Sequence, residues 1–188
     1  MPSPDQLIHG TAIVEPGAEI GAQTRIWQWV HVMPGAVIGM HCSIGQGCFV
    51  GKARIGNGCR IQNNVSVFDG VTLDDDVFLG PSCVFTNVEH PRAHVSRRDA
   101  FAATYVGRGA TIGANATILC GVTIGAYAMI GAGAVITHDV DPHAVMTGVP
   151  ARRISWACRC GETLPESLVC QSCGDYYEVS DDQLSLRA

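Results

Sequence analysis

Aliphatic residues recur every six positions along most of the chain. Ile8, Val14, Ile20, Ile26, Val32, Ile38, Ile44 and Val50 form the first run, and after a step of five the series resumes at Ile55, Ile61, Val67, Leu73, Leu79 and Phe85. It stops there and returns at Val106, Ile112, Ile118, Ile124, Ile130 and Ile136. Four residues after most of these marks stands a small or β-branched residue, as at Val30, Ala36, Cys42, Val65, Ala110 and Ala134. Glycine often follows the mark directly, as at Gly39, Gly45, Gly113 and Gly131. A period of six fits neither an amphipathic helix nor a coiled coil. Two inward residues separated by turn positions describe one short strand and one corner, and a repeat of this size is the signature of a parallel β-helix. Three hexads close one triangular coil. The twenty hexads then give six to seven coils, a prism roughly 30 Å tall at the ordinary interstrand spacing.

Composition agrees. Charged residues make up 15% and glycine 22 of 188 residues, which excludes a disordered chain and disfavours a helical bundle. The net charge is −5, and Lys52 is the sole lysine, so no basic field exists to hold nucleic acid. Residues 118–136 carry no charge and are long enough for a membrane span, but they obey the same period of six, which assigns them to a coil. The N-terminal MPSPDQLIHG has neither a basic start nor an apolar core, so no secretory signal is expected.

The repeat breaks at TNVEHPRAHVSRRDAFAATY. These residues, 86–105, read as a loop thrown out from a corner, and long loops on rigid scaffolds carry function. The loop holds Arg92, Arg97 and Arg98, a side-chain type suited to phosphate or carboxylate. A solvated loop with scattered charge accounts for them equally well. Phe85 lies three hexads after Val67, so Asn87 stacks above Asp69 on one corner. Gln62, Asn63 and Asn64 form an outward polar stretch on the preceding corner. Asparagine tolerates left-handed turns and forms ladders between stacked strands, so these amides have a structural reading beside any role in binding.

The hexads, with GVPARR from Gly148 to Arg153 just beyond the last one, resemble the hexapeptide-repeat acyltransferases. RIWQWVHVMPGAVIG, IQNNVSVFDGVTLDDDVFLGPSCVFTNVEHPR and RGATIGANATILCGVTIG together resemble bacterial sugar-nucleotide N-acetyltransferases. The nearest likeness is to the UDP-2-acetamido-3-amino-2,3-dideoxyglucuronate N-acetyltransferases of surface polysaccharide (lipopolysaccharide O-antigen) synthesis. Enzymes acetylating dTDP-3-amino-3,6-dideoxyhexoses share much of the same strings. The resemblance implies a left-handed prism, a homotrimer, and acetyl-CoA in the grooves between subunits. The sugar nucleotide is then expected near Gln62, Asn63, Asn64, Phe68 and His31, under the loop bearing Arg92, Arg97 and Arg98. Asn87 would position the attacking amine, with Asp69 accepting a second hydrogen bond. Acetyl-CoA would lie along Gly107, Gly113, Gly125, Gly131 and Ala132, with its adenine end near Arg152 and Arg153. Phe68, Gln28 and His90 stand where the family commonly has tyrosine, histidine and asparagine, which leaves the sugar open.

Acetyl transfer from a thioester needs a neutral amine, a donor for the developing oxyanion, and reactants held at about 3–3.5 Å. A sugar amine is a good nucleophile near neutral pH, so positioning can supply most of the acceleration. None of the seven histidines is demanded as a base. A β-helical carbonic anhydrase would need three histidines converging on a metal, and His138 and His143 have no matching partner near residue 102. A non-catalytic scaffold would not call for the polar string or the arginine loop.

The nine cysteines divide. Cys42, Cys48, Cys59 and Cys83 stand four after a mark and read as core, without a disulfide framework, as suits a reducing cytoplasm. CRCG and CQSCG place Cys158, Cys160, Cys170 and Cys173 beyond the prism. Paired cysteine knuckles followed by glycine read as a structural zinc site, which a ribbon too small to fold alone would need. The expected organisation is an all-β chain. It has a left-handed parallel β-helix over 1–153, interrupted by the loop at 86–105, and a zinc-ribbon-like tail over 154–188.

Overall fold

The computed structural model describes residues 7–97 and 99–187. Each prism strand up to Val135–Ile136 is two or three residues long and carries one mark, as in Arg60–Ile61, Ser66–Val67 and Phe78–Leu79. The strands stack in parallel into three faces, forming a left-handed parallel β-helix. The first face runs from Leu7–Ile8 to Ala144–Gly148, eight rungs in all. The second runs from Ile13–Val14 to Val135–Ile136, and the third from Glu19–Ile20 to Thr123–Ile124.

The marks point inward, as the period requires. Ile26, Ile44, Ile61, Leu79, Ile112 and Ile130 form one column, none more than 1% exposed. Main-chain bonds join each rung to the next, as from Gln62 N–H to Leu79 O at 2.9 Å and from Gly80 N–H to Ile112 O at 2.7 Å. The glycine after the mark is required by this stacking. At Gly113 an added Cβ would lie 2.4 Å from the Ala132 nitrogen of the next rung.

Corners turn on a different residue, the third after the mark, which adopts a left-handed conformation at Gln23, Trp29, Gly35, His41, Gly47 and Asn64 among others. The step of five after Val50 is a shortened corner, closed by the Ala53 N–H on Gly51 O at 2.8 Å. Buried Cys42, Cys48, Cys59 and Cys83 pack inside as expected. Burial pushes the Cys48 thiol up to about 11 and that of Cys83 up to about 12, so both are inert. The uncharged 118–136 segment belongs to the last coils, and no helix among the described residues is long and apolar enough to cross a membrane.

Ala144–Gly148 continues the first face and then pairs antiparallel with Ala151–Trp156. The expected border at residue 153 therefore runs through a strand. Beyond it Cys158, Leu164, Cys170, Tyr177 and Leu184 form a second small core, which shares Trp156 with the prism.

Two substitutions test this packing by thermal or denaturant unfolding. Leu79→Ala leaves a cavity between two rungs and is expected to cost about 2–5 kcal/mol. The Thr104 hydroxyl is buried without a hydrogen-bond partner among the described residues. Thr104→Val should therefore stabilise the fold, by about 1 kcal/mol, because it removes a buried unsatisfied group without changing shape.

Candidate active site and cysteine cluster

The loop leaves the prism at Asn87 and returns beside Gly70. The Ala102 N–H bonds Asn87 O at 3.0 Å, and the Thr104 N–H bonds Gly70 O at 3.2 Å. Ser66 pairs with Val84 one rung above, so Asn87 follows the same path as Asp69, one coil higher. The Asn87 side-chain amide is half-buried and makes no hydrogen bond to the described residues, which leaves it available to a ligand.

Asp69 has a structural duty. Its Oδ1 accepts the Lys52 N–H at 2.7 Å, on the shortened corner of the coil below. The second residue after a mark does this repeatedly: Asn57 caps Met40, Asn63 caps Gln46 and Asp75 caps Asn57. Asp69 Oδ2 has no hydrogen-bond partner among the described residues, and Asp69 lines a cleft of about 390 Å³ with Lys52, Arg54, Thr72 and Phe101. Phe101, 39% exposed, is also a wall of a second cleft of about 380 Å³ within the loop, with Val88, Arg92, Val95 and Arg97. The two clefts therefore meet at one ring. One is lined by Asp69, Lys52 and Arg54, and the other by Arg92 and Arg97. Arg98 lies outside the described residues.

The structure separates the remaining candidates. Gln62 and Asn63 line a third cleft, of about 290 Å³, with Trp27, Gln28 and Gln46 on the corner before. Asn64 is exposed, in a left-handed conformation above Gly47. Phe68 packs on Phe49 at 5.8 Å, and Phe49 on His31 at 6.0 Å. This row of rings ends at His31 Nε2, 3.1 Å from Glu15 Oε1 and three rungs, about 14 Å, below the Asn87 strand. Lys52, Arg54 and Phe101 stand beside Asp69, though sequence reasoning gave them no role. The shortened corner at Gly51–Ala53 was the available signal, since irregularity in a regular repeat marks a place where the backbone is diverted.

Toward the last coils, Gly107, Gly113 and Gly125 face the backbone of the next rung, where an added Cβ would come within 2.7 Å of a main-chain nitrogen. Gly131 similarly faces Thr147. Stacking alone accounts for these glycines. Ala132 is exposed on its corner. Arg152 is exposed, and among the described residues its guanidinium bonds Ala151 O alone, at 2.9 Å. Arg153 is held by Asp182 at 2.5 Å, lies 3.6 Å from Asp141 and stacks over Trp156 at 4.1 Å. Its charge is engaged within the chain.

The sulfurs of Cys158, Cys160, Cys170 and Cys173 all lie within 4.8 Å of one another. Cys158 and Cys173 are 3.4 Å apart, and Cys160 and Cys170 are 3.5 Å apart. Four thiolates at about 2.3 Å from a tetrahedral zinc stand about 3.8 Å apart, so the cluster fits that ion. The Cys173 backbone N–H brings the Cys170 thiol down to about 7. Tyr177 hydroxyl reaches Cys158 Sγ at 3.3 Å and accepts the Arg159 N–H at 3.0 Å, fixing the first knuckle.

A left-handed prism of hexads with a loop and clefts at one corner defines a hexapeptide-repeat acyltransferase. The family described as bacterial transferase hexapeptide (six repeats) matches residues 17–52 and 103–138. The chain is 43% identical over 182 residues to dTDP-3-amino-3,6-dideoxy-alpha-D-galactopyranose 3-N-acetyltransferase of Aneurinibacillus thermoaerophilus, covering 95% of this chain and 94% of that protein. It therefore belongs to the hexapeptide-repeat sugar N-acetyltransferases and is an acetyl-CoA-dependent N-acetyltransferase. Two solved structures are similar. PerB from Caulobacter crescentus, in complex with CoA and GDP-perosamine, is 25% identical with a TM-score of 0.50, over 80% of this chain and 57% of that one. A hexapeptide-repeat acetyltransferase of Vibrio cholerae complexed with acetyl coenzyme A is 29% identical with a TM-score of 0.57, over 65% of this chain and 70% of that one.

The cap formed by Asp69 separates two roles of one residue. Asp69→Asn keeps an oxygen on the Lys52 N–H and should leave the melting temperature unchanged. Asp69→Ala loses the cap and should cost about 1–2 kcal/mol in thermal unfolding. Equal melting temperatures for the two variants would show that the cap contributes nothing.

Proposed function

We propose that the chain transfers acetyl from acetyl-CoA to the 3-amino group of a dTDP-linked 3-amino-3,6-dideoxyhexose, within surface polysaccharide synthesis in the cytoplasm, and that it works as a homotrimer. One structural observation carries the site. The Asn87 amide is unpartnered at the root of the loop, one coil above a carboxylate with one free oxygen. The near full-length likeness to a dTDP-sugar enzyme supports the sugar. A UDP-2-acetamido-3-amino-2,3-dideoxyglucuronate substrate is the second reading, favoured by Arg92 and Arg97 in the loop cleft, which suit a uronate carboxylate.

In this mechanism Asn87 Oδ1 and Asp69 Oδ2 accept hydrogen bonds from the neutral amine and aim its lone pair at the thioester carbon. The C–N bond forms as the C–S bond breaks, CoA leaves as the thiol, and the amine's surplus proton goes to the leaving sulfur or to solvent. No strong base is required. The exposed Ala132 and Arg152 lie where acetyl-CoA would run along the late coils.

Assay of a panel of 3-amino sugar nucleotides with acetyl-CoA tests the reading. The dTDP-3-amino-3,6-dideoxyhexoses should turn over with the highest kcat/KM, and preference for the uronate would reverse the two readings. Asn87→Ala should slow turnover roughly ten- to a hundred-fold, the loss of one positioning hydrogen bond of about 1–3 kcal/mol. Asp69→Asn should shift the acid limb of the kcat profile toward lower pH, because a carboxylate beside the amine favours its unreactive ammonium form and the neutral amide does not. Wild-type kinetics in Asn87→Ala would place the chemistry elsewhere.

We also propose that Cys158, Cys160, Cys170 and Cys173 hold one structural zinc ion. Protein purified without chelator should contain about one zinc per chain by elemental analysis, and Cys170→Ser should lose it and melt at a lower temperature. Metal-free wild-type protein would end this proposal.

A further inference from the structure

The four cysteines of the tail are not equivalent. Cys158 and Cys170 are buried, 1% and 2% exposed, while Cys160 and Cys173 are exposed. Two sulfur contacts pair one of each kind: Cys173 with Cys158 at 3.4 Å, and Cys160 with Cys170 at 3.5 Å. Both pairs cross from one knuckle to the other. Each exposed cysteine thus meets solvent and also has a buried sulfur at contact distance. That is the arrangement of an attacking thiol beside its resolving thiol.

A further contact holds the two knuckles together without a metal. Arg159, between Cys158 and Cys160, donates to the Asp175 carboxylate beside the second knuckle, from Nε at 2.7 Å and from Nη2 at 3.0 Å. Loss of a metal therefore leaves the crossed sulfurs side by side. The other cysteines lack this arrangement. Cys42, Cys48, Cys59 and Cys83 are buried in the prism, and Cys120 is half-buried with no second sulfur in contact among the described residues.

The cluster also supports the attachment of the tail to the last coil. Tyr177 is fully buried, with its hydroxyl 3.3 Å from Cys158 Sγ and its ring 5.3 Å from that of His143. Main-chain bonds continue the attachment, from Ala157 N–H to His143 O at 2.7 Å, from Leu164 N–H to Trp156 O at 2.8 Å and from Tyr177 N–H to Leu168 O at 2.9 Å.

We propose that the cysteine cluster is a peroxide-sensitive clasp, which gives up its metal on oxidation and loosens the tail from the last coil. The proposal rests on the zinc reading above. The Cys173 thiolate attacks one oxygen of hydrogen peroxide, giving a sulfenic acid and hydroxide. The Cys158 thiolate then attacks that sulfur, forms the disulfide and expels a second hydroxide. Cys160 and Cys170 do the same with a second peroxide. Two peroxides thus take four electrons from four thiolates and leave two disulfides and four hydroxides. A disulfide sulfur is no longer a thiolate ligand, so the zinc ion departs. Closing Cys158 and Cys173 from 3.4 Å to about 2.05 Å also moves the sulfur that the Tyr177 hydroxyl touches.

The test is stepwise addition of hydrogen peroxide to the whole chain as purified, in wild type and in Cys120→Ser, with three readouts. A zinc-sensitive dye should report about one zinc released for every two peroxides consumed. Peptide mapping should find the Cys158–Cys173 and Cys160–Cys170 disulfides, with Cys42, Cys48, Cys59 and Cys83 still reduced. Amide exchange at Ala157, Leu164 and Tyr177 should quicken about tenfold or more, while Gln62 and Gly80 in the prism stay protected. Reductant with added zinc should restore the slow exchange. Oxidation confined to Cys120 would overturn the proposal, and so would tail disulfides formed with exchange unchanged at Ala157 and Tyr177. Wild-type protein that carries no zinc ends the zinc reading by itself, and the mapping and exchange then still decide whether oxidation opens the tail.

Discussion

Each rung of the prism is bonded to the rung before and the rung after, and the rest of the molecule follows from that constraint. Parallel stacking at one strand spacing lets a two-residue strand survive, because its neighbours supply both its hydrogen bonds and its apolar cover. It also fixes what every position in the hexad must be. The mark fills the interior. The next residue is squeezed against the backbone above, so glycine stands at Gly113. The second after the mark reaches down to cap the coil below, as Asp69 caps Lys52. The third turns the corner in a left-handed conformation.

Function occupies the positions that this division of labour leaves free. The prism tolerates a twenty-residue loop at Phe85 because Ala102 and Thr104 restore main-chain bonds to Asn87 and Gly70, so the stack continues as though uninterrupted. The loop therefore adds clefts without weakening the scaffold. Asn87 is the residue at which the chain leaves the regular path. On the coil below, the Gly70 N–H already bonds Lys52 O at 3.3 Å, and the Asn87 amide makes no hydrogen bond among the described residues. Asp69 both caps the coil below and lines the cleft beside the loop.

The fold was readable because the constraint repeats. A period of six over most of the chain leaves one architecture, and counting hexads places Asn87 above Asp69 without any coordinates. Counting does not show which side chains share a cleft. Gln62 and Asn63 sit with Trp27, two coils earlier, because a groove runs up the face across rungs. Lys52 and Arg54 join Asp69 for the same reason. The corner residues were hidden by their variety, since Trp29, His41, Ser82 and Tyr127 share the left-handed conformation with glycine. Arg153 looks free in the sequence, but its partner Asp182 stands 29 residues away in the tail.

The tail solves a problem that stacking creates. A solenoid ends in a strand edge with unpaired main-chain groups and an open apolar interior, and such an edge invites another chain. Here the last rung of the first face turns back as Ala151–Trp156 and covers its own edge. His143 then stands between Tyr127 of the prism, at 5.2 Å, and Tyr177 of the tail, at 5.3 Å. Burial lowers the His143 pKa, so the ring is neutral and its Nδ1–H donates to Ala157 O at 2.8 Å. Tyr177 also touches Cys158, so the same ring that closes the prism steadies the first cysteine knuckle. The small core around the four cysteines and the large core of the prism are thus joined through Trp156, His143 and Tyr177. Whatever orders the cysteine cluster therefore also orders the lid on the last coil.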